Sequence, residues 1–386
     1  MRKFTIIIFL FALVLKLNAQ EAQNIADLDF LYKSIQELSS YKDQLKDDTS
    51  YTKLYEKLRN DLKTNDDFEV YQKLLQLIYP INDNHLGLYH RPDSTYKFKY
   101  LLPKIDISKL DQKFNNYSLD SLEGFYYDFK GTTKYIVYEK SKNVYYLQNL
   151  KTNVVEAILN KINKFQNYDV IRFLGPPVPY VLYKNVKLSN SNLVGLPYQK
   201  TKNKSYVEIS IGKEFYEYKK LEDNIGYLRL SSFSSQDEIV KNATDFFIKA
   251  KNDITEKNLI VDVRNNGGGG YKNSRQFITF LKNFNGKVYI LQNAFTASNA
   301  EQFIINLKDL EHIITLGETT LGKITYGSNY GKTITLPSNR FLFYPTDMGG
   351  SKKELAFESI GVKPKVTLKP FTEDWITQTI KYIKAN

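Results

Sequence analysis

The chain is expected to fold as a mixed α/β protein, with a largely parallel sheet in a carboxyl-terminal core, a helical amino-terminal region and a β-rich middle module. Three observations carry this expectation. From about residue 214 onward, apolar strand-like runs alternate with amphipathic helix-like runs; before residue 96 the periodicity is helical; between them, short Tyr-, Val- and Ile-rich runs are broken by Asn, Gly and Ser. With 386 residues, 42% hydrophobic and 25% charged, the chain has the length for two or three domains and a globular composition.

Residues 1–19 are set apart as a secretory signal: Arg2 and Lys3 precede an apolar run from Phe4 to Leu15, and Ala19 offers a small-residue cleavage site. A helix of that run would cover about 18 Å, against a hydrocarbon core of roughly 30 Å. A secreted protein, in a bacterial periplasm or outside the cell, with no integral membrane segment after cleavage is therefore expected. There is no cysteine, which excludes disulfides, thiolate nucleophiles and cysteine metal sites. The formal charge is +12, with Arg2, Lys3 and Lys16 in the leader. No Arg-rich stripe interleaved with aromatics accompanies it, so a lysine-rich solvated surface is expected and nucleic acid is not a partner. The three histidines are scattered, and neither a metal nor a cofactor is implied.

In residues 20–95, Leu28, Leu31, Ile35 and Leu38 share one helical face, and Tyr51, Leu54, Tyr55, Leu58 and Leu62 share another. A third helix starts after Asp66 and Asp67, carries Leu74, Leu75 and Ile78, and stops at Pro80. The turn-rich stretch INDNHLGLYHRP follows, holding His85 and His90. In residues 96–213, KYIVYEK and NVYYLQNL predict strands, Val154–Phe165 a helix, and GPPVP a rigid loop. In residues 214–386, strands are predicted at Ile225–Phe233, Asn258–Val263, Val288–Gln292 and Ile313–Leu316. Helices are predicted at Glu238–Lys251, Tyr271–Leu281 and Ala300–Leu307. GKTITLP and RFLFYPT predict a returning hairpin, and WITQTIKYIK a closing amphipathic helix.

Two turns of this last region carry chemistry. Gly267–Gly270 follows a buried strand, but it lacks the third glycine of a dinucleotide fingerprint and the Lys-Ser/Thr of a P-loop. The functional alternative is a loop whose N–H groups converge on an oxyanion; the plain one is a flexible turn. Ser298, in TASNAE, lies between a strand and a helix, where its hydroxyl could project with the Asn299 N–H beside it. A helix-capping serine is the competing reading, and Glu301 three residues on supports it equally.

LIVDVRNNGGGG, TASNAE, GETTLGK at Gly317–Lys323 and ESIGVKPKV at Glu358–Val366, in that order, closely resemble the motif series of the tail-specific, or carboxyl-terminal processing, serine protease superfamily, which includes the tricorn core. The resemblance spans about Ile225–Leu368; the middle module matches no motif, and no PDZ domain is recognisable. It implies a ClpP/crotonase-like core and a protein or peptide substrate. It further implies a serine endopeptidase with Ser298 as nucleophile and an oxyanion hole from Gly267, Gly268 and Asn299. The base divides the superfamily: tail-specific members use a lysine that falls on Lys323, whereas tricorn-like members use a histidine and glutamate that fall on His85 and Glu358.

A lysine must lose about three pKa units, roughly 4 kcal/mol, to be neutral at pH 7, while histidine needs almost no tuning. The polar residue that tail-specific members place four positions after the lysine is Gly327 here, and the acidic residue usual after the proline of the last motif is Lys365. His85 with Glu358 is therefore preferred over Lys323. His90 and His312 are expected to be structural, and Asp83 and Arg264 to hold loops. The rival from another class is a catalytically inactive protein binding a small ligand or peptide on the same fold. The oligomeric state is left open.

Overall fold

The computed structural model describes residues 2–97, 99–106, 110, 112, 114, 118–161, 167–201, 205–207, 209, 214–327 and 332–386, with side chains from residue 19 onward. The fold is mixed α/β, as expected.

Four helices open the chain: α1 (Arg2–Gln36), α2 (Ser39–Gln44), α3 (Thr49–Asp61) and α4 (Asp67–Ile78). Asp66 caps α4 by accepting from the N–H groups of Phe68 and Glu69, which satisfies donors that the first turn leaves open. The predicted stripe residues Leu28, Leu31, Ile35, Leu58, Leu74 and Ile78 meet in one cluster. Among the described residues, no helix is long and apolar enough to cross a membrane.

After β1 (Gly87–His90) come β2 (Gly124–Asp128), β3 (Lys134–Ser141), β4 (Val144–Asn149), β5 (Val155–Lys161), β6 (Tyr168–Phe173), β7 (Tyr180–Ser189), β8 (Asn192–Val194) and β9 (Tyr198–Gln199). From β2 to β9 every pairing is antiparallel, and because β7 bonds both β6 and β8 the eight strands close on themselves. The middle module is thus a small barrel filled by side chains such as Tyr126, Val137, Leu147, Leu159 and Val170. The helix predicted at Val154–Phe165 is corrected: Val155–Lys161 is β5, while 162–165 lie outside the described residues. Ala157 and Leu159 face the barrel interior and Ile158 packs outward on the amino-terminal helices. A strand apolar on both faces shows no alternation, and its composition does not separate it from a helix.

The rest is β10 (Tyr216–Glu222), β11 (Ile225–Leu230), α5 (Asp237–Asp253), β12 (Asn258–Asp262), α6 (Tyr271–Lys282), β13 (Lys287–Gln292), α7 (Asn299–Leu307), β14 (Ile313–Gly317), β15 (Ile334–Thr335), β16 (Phe341–Tyr344), α8 (Lys352–Leu355), β17 (Val366–Thr367) and α9 (Trp375–Ala385). A six-stranded sheet runs β10-β11-β12-β13-β14-β17, parallel except for β10. Leu259, Val261, Val288 and Ile290 face α5–α7, whereas Ile260, Tyr289 and Leu291 face Trp375 of α9. Burial on both faces is why these strands read as continuous apolar runs. The predicted hairpin forms as β15–β16, but it joins the barrel side: β16 pairs with β1, and β1 pairs with β7. β1, which begins just after His85, is therefore part of the barrel-side sheet and not of the six-stranded one.

Candidate active site

The carboxyl ends of β12 and β13 each open into a turn. In the second, Ser298 flanks α7 with φ 54° and ψ −125°, a region that residues with a Cβ seldom adopt. This sharp strand-to-helix corner is the local form of a nucleophile elbow, and Ser298 is only half-buried. Its N–H donates to the Lys323 carbonyl at 2.7 Å and to Glu301 Oε2 at 3.1 Å. Glu301, fully buried, also accepts from Gly322 N–H at 2.7 Å, Lys323 N–H at 3.0 Å and the Thr320 hydroxyl at 2.5 Å. Burial raises the Glu301 pKa, and these hydrogen bonds oppose the rise.

The glycine turn lies directly against the serine turn, with Ala297 N–H donating to the Asn266 carbonyl at 3.0 Å. Gly268 has φ +91°, and a Cβ there would fall 2.7 Å from Ser298 Cβ, Asn299 N and Ala297 O. Only glycine permits that approach. The Gly268 N–H is already given to Asn266 Oδ1 at 2.8 Å. The N–H groups of Gly267 and Asn299 make no hydrogen bond with a described residue.

His85 comes from the other side of the molecule, and its Nε2 sits 3.3 Å from Ser298 Oγ. Its N–H donates to Asp83 Oδ1 at 3.1 Å, and Asp83 in turn accepts from the Thr346 hydroxyl at 2.6 Å. Burial first, then the neighbouring Lys323 charge, push the His85 imidazole down to about 3. The ring is then neutral near pH 7, and the side chain facing Ser298 can accept a proton. Among the described residues its Nδ1 meets no partner at full hydrogen-bond geometry, while the Thr325 main chain opposes the downward shift.

Glu358 is buried in the same cluster. Its oxygens accept from Asn84 N–H at 3.1 Å, Ile324 N–H at 2.8 Å, Thr325 N–H at 2.9 Å and the Thr325 hydroxyl at 3.2 Å. It thus holds the residue before His85 rather than the ring. Burial pushes its carboxyl up to about 7. Burial lowers the Lys323 pKa, with Glu358, Asp83 and Glu301 acting against it. The Lys323 ammonium forms no hydrogen bond with a described residue, although its carbonyl holds the Ser298 N–H.

His90 Nδ1 lies 2.7 Å from the Arg91 carbonyl and its ring packs on Tyr180 and Phe341, while His312 Nε2 lies 2.9 Å from the Leu281 carbonyl. Arg264 is buried under the glycine turn and pairs with Asp262 at 2.6 Å; Arg229 pairs with the same carboxylate at 3.0 Å.

Sequence reasoning treated Glu301 as a cap and found no chemistry in the barrel. Yet Asn185 and Lys187 of β7, together with Asn167 just before β6 and, outside the barrel, Asn84 beside His85, reach the loops around the serine. For Asn185 and Lys187 the only signal is polar residues within an otherwise apolar strand run, YVLYKNVKLS, and that pattern does not reveal what they touch.

Residues 224–283 and 271–368 match the sequence model of peptidase family S41. Among solved structures, the chain is similar to a lipoprotein from Streptococcus agalactiae, with 21% identity over 45% of this chain and 70% of that one and a TM-score of 0.32. It is also similar to the photosystem II D1 C-terminal processing protease, with 14% identity over 90% and 93% and a TM-score of 0.39. The tricorn protease is a third, with 13% identity over 94% of this chain and 36% of that one and a TM-score of 0.44. The likeness to the family rests on the sequence model over residues 224–368 rather than on these structures. No curated protein sequence matches the chain significantly.

Proposed function

We propose, from the match of residues 224–368 to peptidase family S41, that this chain is a serine-type peptidase acting on peptides, a secreted endopeptidase working through an acyl-enzyme on Ser298. The parallel core is read as ClpP/crotonase-like, and residues 1–19 as a leader removed on export to a bacterial periplasm or the exterior.

His85 is the base in this reading. The observation that carries it is the 3.3 Å separation of His85 Nε2 and Ser298 Oγ, against a Lys323 ammonium with no hydrogen bond to a described residue. As Oγ attacks the scissile carbonyl carbon, Nε2 takes its proton, and the carbonyl oxygen gains charge facing the Asn299 and Gly267 N–H groups. One such donor is worth about 3–4 kcal/mol in the transition state. The tetrahedral adduct collapses with loss of the amine, which receives the proton from His85, and water then cleaves the ester by the reverse roles. Glu358 serves the base indirectly, by fixing Asn84 and, when ionised, by offsetting the Lys323 charge that opposes an imidazolium. The inactive-binder alternative is not favoured, because a binder has no need of a strained serine facing a neutral imidazole.

Ser298→Ala is expected to lower hydrolysis of an unfolded protein substrate roughly 10⁴-fold or more with the melting temperature unchanged. Undiminished cleavage would sink the serine mechanism. Assayed beside it, His85→Ala is expected to lose activity on the same scale and Lys323→Ala far less; loss confined to the lysine variant would reassign the base.

A further inference from the structure

The barrel strand β7 carries a β-bulge: Tyr168 pairs with Val186 but Val170 with Tyr183, so Lys184 and Asn185 occupy the space of one residue. Asn185 takes φ 60° there, a left-handed conformation that asparagine tolerates. Its N–H donates to Asp169 Oδ1 at 3.0 Å, and Lys184 lies 4.0 Å from Asp169 Oδ2. A bulge of this kind re-aims side chains that an unbroken strand would send elsewhere.

Here the re-aimed side chains go to both halves of the site. Lys184 Nζ donates to the carbonyls of Ile81 at 2.7 Å and Ile78 at 3.4 Å, gripping the end of α4 and the segment that leads into His85. Asn185 Nδ2 donates to the carbonyls of Leu321 at 3.0 Å and Gly322 at 3.2 Å. Two residues further along, Lys187 Nζ donates to the Thr320 carbonyl. Asn167 on the neighbouring segment donates to Asn185 Oδ1 at 2.6 Å and to the Ser359 carbonyl at 2.6 Å, beside Glu358. The loop so held ends at Lys323, whose carbonyl takes the Ser298 N–H at 2.7 Å.

We propose that the β7 bulge is the positioning device of the active site, with Lys184 placing the His85 segment and Asn185 and Lys187 placing the loop that holds Ser298. None of the three touches the reacting atoms. They act on the His85–Ser298 separation, because the base and the nucleophile belong to different sheets and this one bulge is bonded to the main chain leading to each. The proposal rests on the peptidase reading above for its kinetic consequence, but not for its structural content.

The test compares Asn185→Gly, Asn185→Asp and Lys184→Met in the full chain. Glycine keeps the left-handed conformation without the amide, and aspartate keeps the shape but turns a carboxylate toward two carbonyls. Leu159→Ala in the barrel interior serves as the control for lost stability alone. The expected result is a fall of roughly 10–100-fold in kcat and in the rate of labelling by a serine-directed phosphonate, with KM within about twofold, because misplacement of about 1 Å suffices for such a loss. Leu159→Ala is expected to keep its kcat despite an equal or larger drop in melting temperature. Wild-type kcat in the bulge variants, or an equal kcat loss in the control, would overturn the proposal. If the wild-type chain neither cleaves peptides nor reacts with the phosphonate, the peptidase reading fails, and amide hydrogen exchange then decides the structural claim. Faster exchange at Gly322–Thr325 in Asn185→Gly upholds the clamp, and unchanged exchange refutes it.

Discussion

The parallel sheet and the barrel both bury apolar side chains on two faces, yet they contribute to the site in opposite ways. The sheet delivers its functional groups locally: Gly267–Gly270 and Ser298 lie on turns at the ends of adjacent strands, each within a few residues of the strand that aims it. The barrel delivers nothing to the reacting atoms, but bonds the loops that carry them, across more than a hundred residues of sequence between Asn185 and Leu321. Parallel strands all end on the same side, so their turns collect into one place; an antiparallel barrel reaches that place only by side chains. One layer therefore specifies chemistry and the other specifies its geometry.

The largest expected effect tests the sheet side. Burial opposes ionisation of Asp262, but the Arg264 and Arg229 guanidiniums hold its carboxyl below the ordinary range. Asp262→Ala leaves two buried guanidiniums without their carboxylate, and a loss of about 3–5 kcal/mol in denaturant unfolding is expected. A loss below 1 kcal/mol would show that the strand ends are not organised by this pair. Next comes Gly268→Ala, which forces a Cβ into contact with Ser298 and Asn299. It is expected to lower kcat about 100-fold, near 3 kcal/mol of barrier, with much of the fold's stability kept. Wild-type kcat there would mean that the glycine turn does not set the serine corner.

The smallest effect probes the junction of the two layers. His85 is held at about 3 in the folded protein, against about 6.5 when unfolded. Between those values the unfolded chain binds the extra proton, so this contribution to stability is complete above about pH 6.5 and is lost as the pH falls toward 3. From pH 6.5 to 5.5 the wild type should lose about 1 kcal/mol more than His85→Gln in chemical denaturation. Parallel curves for the two proteins would show that the imidazole is not buried against Lys323 as described.

Much of the sheet layer was legible because its signals are local. Each predicted helix and strand from Ile225 to Leu316 appears within two or three residues of its expected limits, since apolar periodicity, the glycines of the first turn and the acidic start of α5 all act over single turns of chain. The barrel was legible as β-rich but not as closed, because closure depends on β8 returning to β7, a pairing that no stretch of residues encodes by itself. At β5 the reading failed outright: VEAILN buries Ala157 and Leu159 in one cluster and Ile158 in another, which removes the alternation that distinguishes strand from helix. In the site, Ser298 and the glycine turn stood out through residue type and position. Glu301 did not, because a carboxylate three residues after a serine at a helix start has an adequate local explanation as a cap.

By itself, the sequence determined the strand–turn–helix corners that present Ser298 beside Gly267–Gly270, because backbone conformation follows from nearest neighbours and from where glycine is required. Only the tertiary structure decided which distant group meets the serine. Along the chain His85 was preferred to Lys323 only on its ordinary pKa and on two departures from the lysine motif, and it is packing in the folded chain that brings His85 Nε2 to Ser298 Oγ, engages Lys323 through its carbonyl, and commits Glu358 to the main chain of Asn84, Ile324 and Thr325. The physical reason is one of range: φ and ψ preferences act over a few bonds, whereas the distance between a base and a nucleophile 213 residues apart is set by every contact between the layers that carry them.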